Sequence, residues 1–492
     1  MNKYKNTDLK EKILREILIN YHNNNQLDLE INNPSHFTRA VKIGIEDGYD
    51  AGRREVLEEL KGLLIIALPL MVQNTLRGLL GSVDKLFVGQ LGEQAIAGVG
   101  GSNQLFSLFL TIFMAISAGL SILLSQYLGG NKTDKFEKLF STMLSTGLLI
   151  GLLVTVLFHF QGEVFLTWLN ISGGALEEAK AYFSIIALST TLLLLSASFS
   201  GVFLALKKNT YPMVATFISM GINTLLNAYF IFILEWGVAG VAYATLISRA
   251  LEFGILLFLV KGYLRKLKIP FRLGFDPLLF KVLVSISVPM ALDGAAWQLA
   301  MTVYTRIIFT IGVQEVAVYE ILKIFQTVTL TAISAMAAAN VGIVGAALGG
   351  NAFRLAKEKA NAGILTAFIV ATGLNLIVFT FSSEIFSLFN LEESTLNMGL
   401  RAIPLVLIII YAQILNVIFP YILRSGGDTW ANLWITIFGF WVLQIPLAWF
   451  LGIQQELGIQ GVLLSMLVAE GVKGALFYLR YRQGNWLKNL AN

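Results

Sequence analysis

The chain has 492 residues, 56% of them hydrophobic and 14% charged, with a formal net charge of +5 and no cysteine. A soluble domain carries about 25% charged residues, so a single water-soluble globule is excluded, and the lack of cysteine excludes disulfides and thiolate metal sites. The positive balance does not point to nucleic acid: the basic residues fall mainly between apolar runs of about 20 residues, the length that crosses a hydrocarbon core.

Residues 1–61 form a polar extension. Apolar positions 9, 13, 14, 17 and 18 mark a helical stripe from Asp8 to Ile19. The Asn-rich stretch from Asn20 to Pro34 reads as a loop, Ser35 can cap a second helix, and Ala51 to Leu60 reads as a third. No short apolar core followed by small residues marks a signal peptide. His22 and His36 are too isolated for a metal site. A solvated cytoplasmic appendage is expected, with a regulatory or partner-binding role as the alternative.

Twelve spans follow, six at roughly 63–85, 95–128, 138–160, 178–206, 210–234 and 238–262, and six at roughly 279–311, 315–348, 357–381, 395–423, 430–452 and 457–480. The two sets repeat each other. Pro69 and Pro289 open similar stretches 220 positions apart, and at the same offset Gly92 meets Gly312 and the run 128–131 (LGGN) meets 348–351 (LGGN). The expected fold is therefore an all-α polytopic membrane protein, with 12 transmembrane helices in two six-helix bundles related by pseudo-twofold symmetry. The expected domains are a cytoplasmic soluble extension (1–61), an N-terminal bundle (62–264), a cytoplasmic linker (265–278) and a C-terminal bundle (279–492).

Loop charge fixes an orientation. Alternate loops hold Lys132, Lys135 and Lys138; Lys207 and Lys208; Arg265, Lys266, Lys268 and Arg272; Arg354, Lys357 and Lys359; Arg424; and Arg480, Arg482 and Lys488. The intervening loops hold Glu93, Glu163, Glu177, Glu178, Glu235, Glu315, Glu384, Glu392, Glu393 and Glu456, with Lys180 the main exception. Basic loops stay in the cytoplasm, so both termini are expected inside, in the plasma membrane.

Several of these stretches resemble one family. The runs 81–100 (GSVDKLFVGQLGEQAIAGVG) and 125–131 (SQYLGGN) are similar to the first two spans of the multidrug and toxic compound extrusion (MATE) transporters. Leu292, Asp293, Gln298, Arg306 and Gly312 fit a seventh-span pattern of a prokaryotic branch, residues 424–429 (RSGGDT) match the loop after the tenth span, and Asn223 and Asn227 match a fifth-span motif. The resemblance covers about residues 62–484. It departs at 206–212 (LKKNTYP), where the family has a Gly-rich turn, and at Asn227, where some members have Asp. It implies export of organic compounds in exchange for inward H⁺ or Na⁺, with Asp84 as the coupling carboxylate.

An ionisable side chain inside a span is a functional candidate, with structural pairing as the alternative. Asp84 is either an interfacial acid beside Lys85 or the ion-coupling group that the resemblance implies. Asn223 and Asn227 lie one helical turn apart. Their carbonyls can serve Asp84 or Na⁺, or they can simply bind neighbouring helices. Asp293 is expected either to pair with a basic residue such as Lys323 or to bind a cation or substrate. Trp297, Gln298 and Arg306 join it as candidates for a substrate or cation cavity, with Phe106, Met301 and Tyr304 as further apolar lining or as ordinary packing. Glu320 and Lys323 are spaced to neutralise each other. Arg249 and Glu252 answer Glu470 and Lys473 at offset 221 with signs exchanged, and are expected to be structural ion pairs or a gate.

The leading reading is a secondary antiporter that exports organic compounds, cationic or amphipathic, by alternating access. It is coupled to H⁺ or Na⁺ with a lean to H⁺, because the first-half site offers one carboxylate. The alternative is a flippase for lipid-linked oligosaccharide, which a cavity rich in Arg and Lys would favour. No zinc, nucleophile-elbow or Walker motif is present, so no enzyme is expected. Small organic substrates and membrane lipids are the expected partners of a monomer, with no cofactor, metal or nucleic acid.

Overall fold

The computed structural model describes residues 61–78, 83–168, 171–387 and 393–491, so the helices expected in the N-terminal extension lie outside the described residues. The chain is helical throughout the described spans: α1 (61–78), α2 (83–89), α3 (Glu93–Gly129), α4 (Thr133–Trp168), α5 (Gly174–Leu188), α6 (Thr190–Ala205), α7 (Thr210–Phe232) and α8 (Gly237–Lys266) in the first half. The second half has α9 (Pro277–Ile311), α10 (Val313–Gly349), α11 (Phe353–Thr380), the short α12 (Ser382–Ser387), α13 (Glu393–Ser425), α14 (Thr429–Ile437), α15 (Ile445–Trp449) and α16 (Gly458–Arg482). Among the described residues, eleven helical stretches are long and apolar enough to cross a membrane, with α1 and α2 counted together and α14 running on through α15 to Gln454, or up to 12 when the bent pair α5 and α6 is taken as one span. The expected architecture of two six-span halves is found.

Two spans depart from regular helices. The fourth bends by 47° between α5 and α6. Ser189 sits at the break, and its hydroxyl donates to the carbonyl of Ile186 at 2.6 Å, a local bond that competes with the helical ladder. In the eleventh span, residues Phe438–Gln444 and Phe450–Gln454 are wound as π-helix. These turns flank Pro446, which has no N–H to offer an α-helical ladder.

The repeated LGGN motif forms the same cap twice. Asn131 and Asn351 have φ of 53° and 58°, a left-handed conformation that Asn tolerates after a helix. Lys132 N–H returns to Tyr127 O at 2.8 Å and Ala352 N–H to Ala347 O at 2.9 Å. The glycines before these caps let α3 and α10 touch backbone to backbone. A Cβ on Gly129 would lie 1.9 Å from Ala346 O, and one on Gly349 would lie 1.8 Å from Gln126 O. Small residues recur on α10 along this face: Gly345 stands against Ser125, Ala346 against Gly129 and Gly349 against Gln126. Such residues let helices approach closely where lipid supplies no hydrophobic force between them.

This crossing lies at the end of the molecule that carries the basic loops, called the basic end below. The segment after α16 fastens it. Gln126 donates to Ser425 O at 2.6 Å and accepts from Leu490 N–H at 2.6 Å. Lys132 and Lys135 both reach Ala491 O at 2.7 Å, and Asn489 donates to Gly349 O at 3.0 Å. One short segment therefore holds α3, the α3–α4 turn, the start of α4 and the end of α10 together, and Gln126 joins them to the end of α13. The halves are also not cleanly separate here, because Leu63 and Ala67 of α1 pack in a core otherwise built from α10, α11, α13 and the chain around α16.

Candidate functional site

The first half brings three of the expected residues together. Asn227 and Asn223 are fully buried on α7, four residues apart and so on one face. Asn227 Nδ2 donates to Asp84 Oδ1 at 2.8 Å and lies 3.0 Å from Asn223 Oδ1. Asn223 in turn donates to Ser248 Oγ at 3.3 Å on α8. Arg249, on the same helix, lies within electrostatic reach of Asp84. A carboxylate oxygen is thus held by an amide whose own orientation is fixed by a second amide and a hydroxyl. The carboxylate is free to gain or lose a proton without losing that acceptor bond.

Arg249 and Glu252 do not form the expected pair. Arg249 donates to Ser189 Oγ at 2.6 Å, at the bend of the fourth span, and its guanidinium sits 4.9 Å from the centre of the Phe106 ring. Glu252 takes Arg77 of α1 at 3.4 Å and accepts from Thr216 at 2.8 Å. Spacing on α8 places the two charges near each other, but each finds a partner on a neighbouring helix.

In the second half Glu470 and Lys473 do pair, at 2.8 Å, both almost fully buried. Asn416 donates to Glu470 at 2.6 Å, and Lys473 Nζ lies 3.6 Å from the centre of the Phe440 ring. Removing either member would leave a buried charge unmatched, which costs about 3–5 kcal/mol. Asp293 is also paired, and the partner differs from the one expected: Arg424 of α13 donates to it at 2.5 Å, whereas Lys323 lies 3.0 Å from Glu320.

Between the halves lies a cavity of about 1090 Å³. Asn74 and Gln104 reach it from the first half, and Trp297, Gln298, Met301 and Arg306 from the second. It runs along α9 from Trp297 to Phe309, towards the end opposite the α3–α10 crossing. A second cavity of about 480 Å³ continues past Trp297 to Asp293, Arg424, Glu470 and Lys473. Trp297, Gln298, Met301 and Arg306 therefore line the space, and Asp293 lines its deeper part. Two apolar candidates do not. Tyr304 is fully buried, with its hydroxyl donating to Val462 O at 2.7 Å, and Phe106 belongs to a core cluster of the first half.

Asp84 lines neither of these two cavities. The repeat explains why the halves differ here: 220 positions after Asp84 stands Tyr304, and 221 after Asn227 stands Ala448. The second half keeps a buried amide there, Gln444 at 221 positions after Asn223, but has no carboxylate. Sequence reasoning missed Arg77, a charge inside the first span that its position alone could have flagged. It also missed Arg424 as a partner, because the residue reads as a loop cation although α13 continues through it to Ser425. Gln413 and Asn416 were missed as well, and both line the deeper cavity.

A family model described as MatE matches residues 69–229 and 289–450. Relatives include an uncharacterized transporter, YisQ, of Bacillus subtilis, 24% identical over 441 residues, covering 87% of this chain and 95% of the relative. A probable multidrug resistance protein NorM of Thermotoga maritima is 22% identical over 449 residues, covering 89% and 95%. Among solved structures, an outward-facing multidrug resistance MATE family transporter superposes with a TM-score of 0.78 at 20% identity, covering 87% of this chain and 96% of the other. A MOP superfamily transporter from Pyrococcus furiosus, described as having a binding pocket of reverse polarity, gives 0.77 at 20% identity and the same coverage. At these identities the superpositions speak to fold.

Proposed function

The chain belongs to the MatE family, and from that premise we propose that it is a secondary antiporter that exports small amphipathic organic compounds across the plasma membrane in exchange for H⁺. The observation that carries this reading is the space between the halves. It extends away from the end where α3 and α10 meet backbone to backbone. A site between two similar bundles, closed at one end, is what rocking of the bundles would expose alternately. Asp84 is the coupling group, Asn227 and Asn223 hold it, and the cavity takes the compound. H⁺ is favoured over Na⁺ because the site offers one carboxylate and otherwise neutral ligands. The protein acts as a monomer and has no enzymatic role. A flippase for sugar lipids is the less favoured reading, since only two cationic side chains line the large cavity among the described residues.

Purified protein in proteoliposomes, with a pH gradient and a Na⁺ gradient imposed separately, tests this. Export of a fluorescent drug-like dye is expected under the pH gradient. A Na⁺ gradient acting alone would replace the ion, and no response to either would remove the antiporter reading.

The loop charges favour a cytoplasmic basic end. In this chain without cysteine, a cysteine at Glu178 should react with an impermeant thiol reagent added outside cells, and one at Lys135 should not. The reverse pattern would invert the topology.

A further inference from the structure

Three charged side chains line the large cavity among the described residues: Arg306, Lys323 and Glu470. The one acid is already engaged by Lys473 at 2.8 Å and by Asn416 at 2.6 Å. Lys323 leans on Glu320 at 3.0 Å, and in the deeper cavity Asp293 is held by Arg424. Every acid facing this space therefore has a cation. Arg306 is different: no carboxylate among the described residues pairs with it. A positively charged compound entering here would have to break a buried pair to find a counter-charge. A negatively charged one finds a guanidinium with its five donors unspent, the group best suited to a planar oxyanion.

On the antiporter reading, which this inference refines and rests on, we propose that the exported compounds carry an anionic group, a carboxylate, sulfonate or phosphate, bound by Arg306, and an apolar or aromatic body. The surroundings fit both parts. Arg306 shares a face of α9 with Thr302, one turn before it, and Phe309, three residues after it, and both also line the cavity. Trp297, Met301 and Phe440 give the apolar wall on which the body rests. The cationic compounds that the family resemblance leads one to expect are thereby disfavoured.

Fluorescein and rhodamine 123 share a xanthene ring system and differ in charge, so they separate the question of polarity from that of shape. In proteoliposomes and in equilibrium binding by fluorescence polarisation, the parent protein should bind and export fluorescein in preference to rhodamine 123. Arg306→Gln should lower the ratio of fluorescein to rhodamine affinity by at least about tenfold, the size of a lost charge-assisted contact. Arg306→Lys keeps the charge without the fork and should fall between the two. Thermal unfolding of each variant checks that the fold is kept. Competition by farnesyl diphosphate as strong as that by free fluorescein would place the anionic group on a lipid, and no competition would place it on a soluble compound. Gradient-driven export of rhodamine 123 without binding of fluorescein would overturn the anionic proposal and leave the antiporter standing. A ratio unmoved by Arg306→Gln in a folded variant would also overturn the proposal. Failure to move either dye under any gradient would remove both readings.

Discussion

Asp84→Asn is expected to abolish gradient-driven export while leaving the protein folded and in the membrane. The substitution keeps the side chain's shape and an oxygen for Asn227 Nδ2, which now sits 2.8 Å from Asp84 Oδ1. What it removes is the ability to take up and release an ion. In an exchanger the ion must bind one conformation better than the other, because a ligand with equal affinity for both shifts nothing. A fixed neutral amide satisfies Asn227 in every state and so couples none of them. Initial rates in proteoliposomes should fall to the level of empty vesicles, and binding of the exported compound should lose its dependence on pH. Export at the parent rate under either gradient would show that Asp84 is not the coupling residue and would pass that role to Asp293.

The second large effect is expected at the helix crossing. Gly349→Val puts a Cβ and two methyls where Gln126 O already stands, 1.8 Å from the new Cβ. The segment after α16 ties the two helices at this point, through Leu490 to the Gln126 side chain and through Asn489 to Gly349 O, and so resists their parting. Overpacking of this kind costs about 1–3 kcal/mol, which at about 1.4 kcal/mol per decade lowers the ratio of closed to open at the basic end by roughly 5- to 140-fold. Ser125, fully buried beside Gly345 in the crossing, gives the reporter. A cysteine placed there should resist a water-soluble thiol reagent in the parent and react in the Gly349→Val background, with export reduced in parallel. Unchanged protection in a folded, correctly inserted variant would mean that the crossing is not what closes this end.

The features of the site that could be read in the sequence were those carried by one helix. Asn223 and Asn227 were legible because four residues make one turn, and the LGGN repeats because each is a complete cap. What could not be read was which charge meets which across helices. Arg249 and Glu252 have the spacing of a pair, yet Arg77 lies on a span 175 residues away from Glu252, and nothing in the spacing along α8 points to it. Arg424 reaches Asp293 across 131 residues of sequence, from a helix end that hydropathy alone assigns to a loop. The π-helical turns around Pro446 also escaped, since one extra residue per turn hardly disturbs an apolar run in which nearly every position is hydrophobic.

The presence of Tyr304 where the first half has Asp84 bears on how the membrane voltage drives the cycle. On the proposed exchange at Asp84, with the acids that line the cavity already paired, each turnover would bring in a single positive charge. A compound leaving with one positive charge cancels it, and the cycle is then blind to voltage. A neutral compound leaves one charge moved inward. A compound bearing one negative charge makes it two, each worth about 2.3 kcal/mol for every 100 mV of interior-negative potential. An electrode or a voltage-sensitive dye therefore reads the charge of the cargo from the current that its export generates.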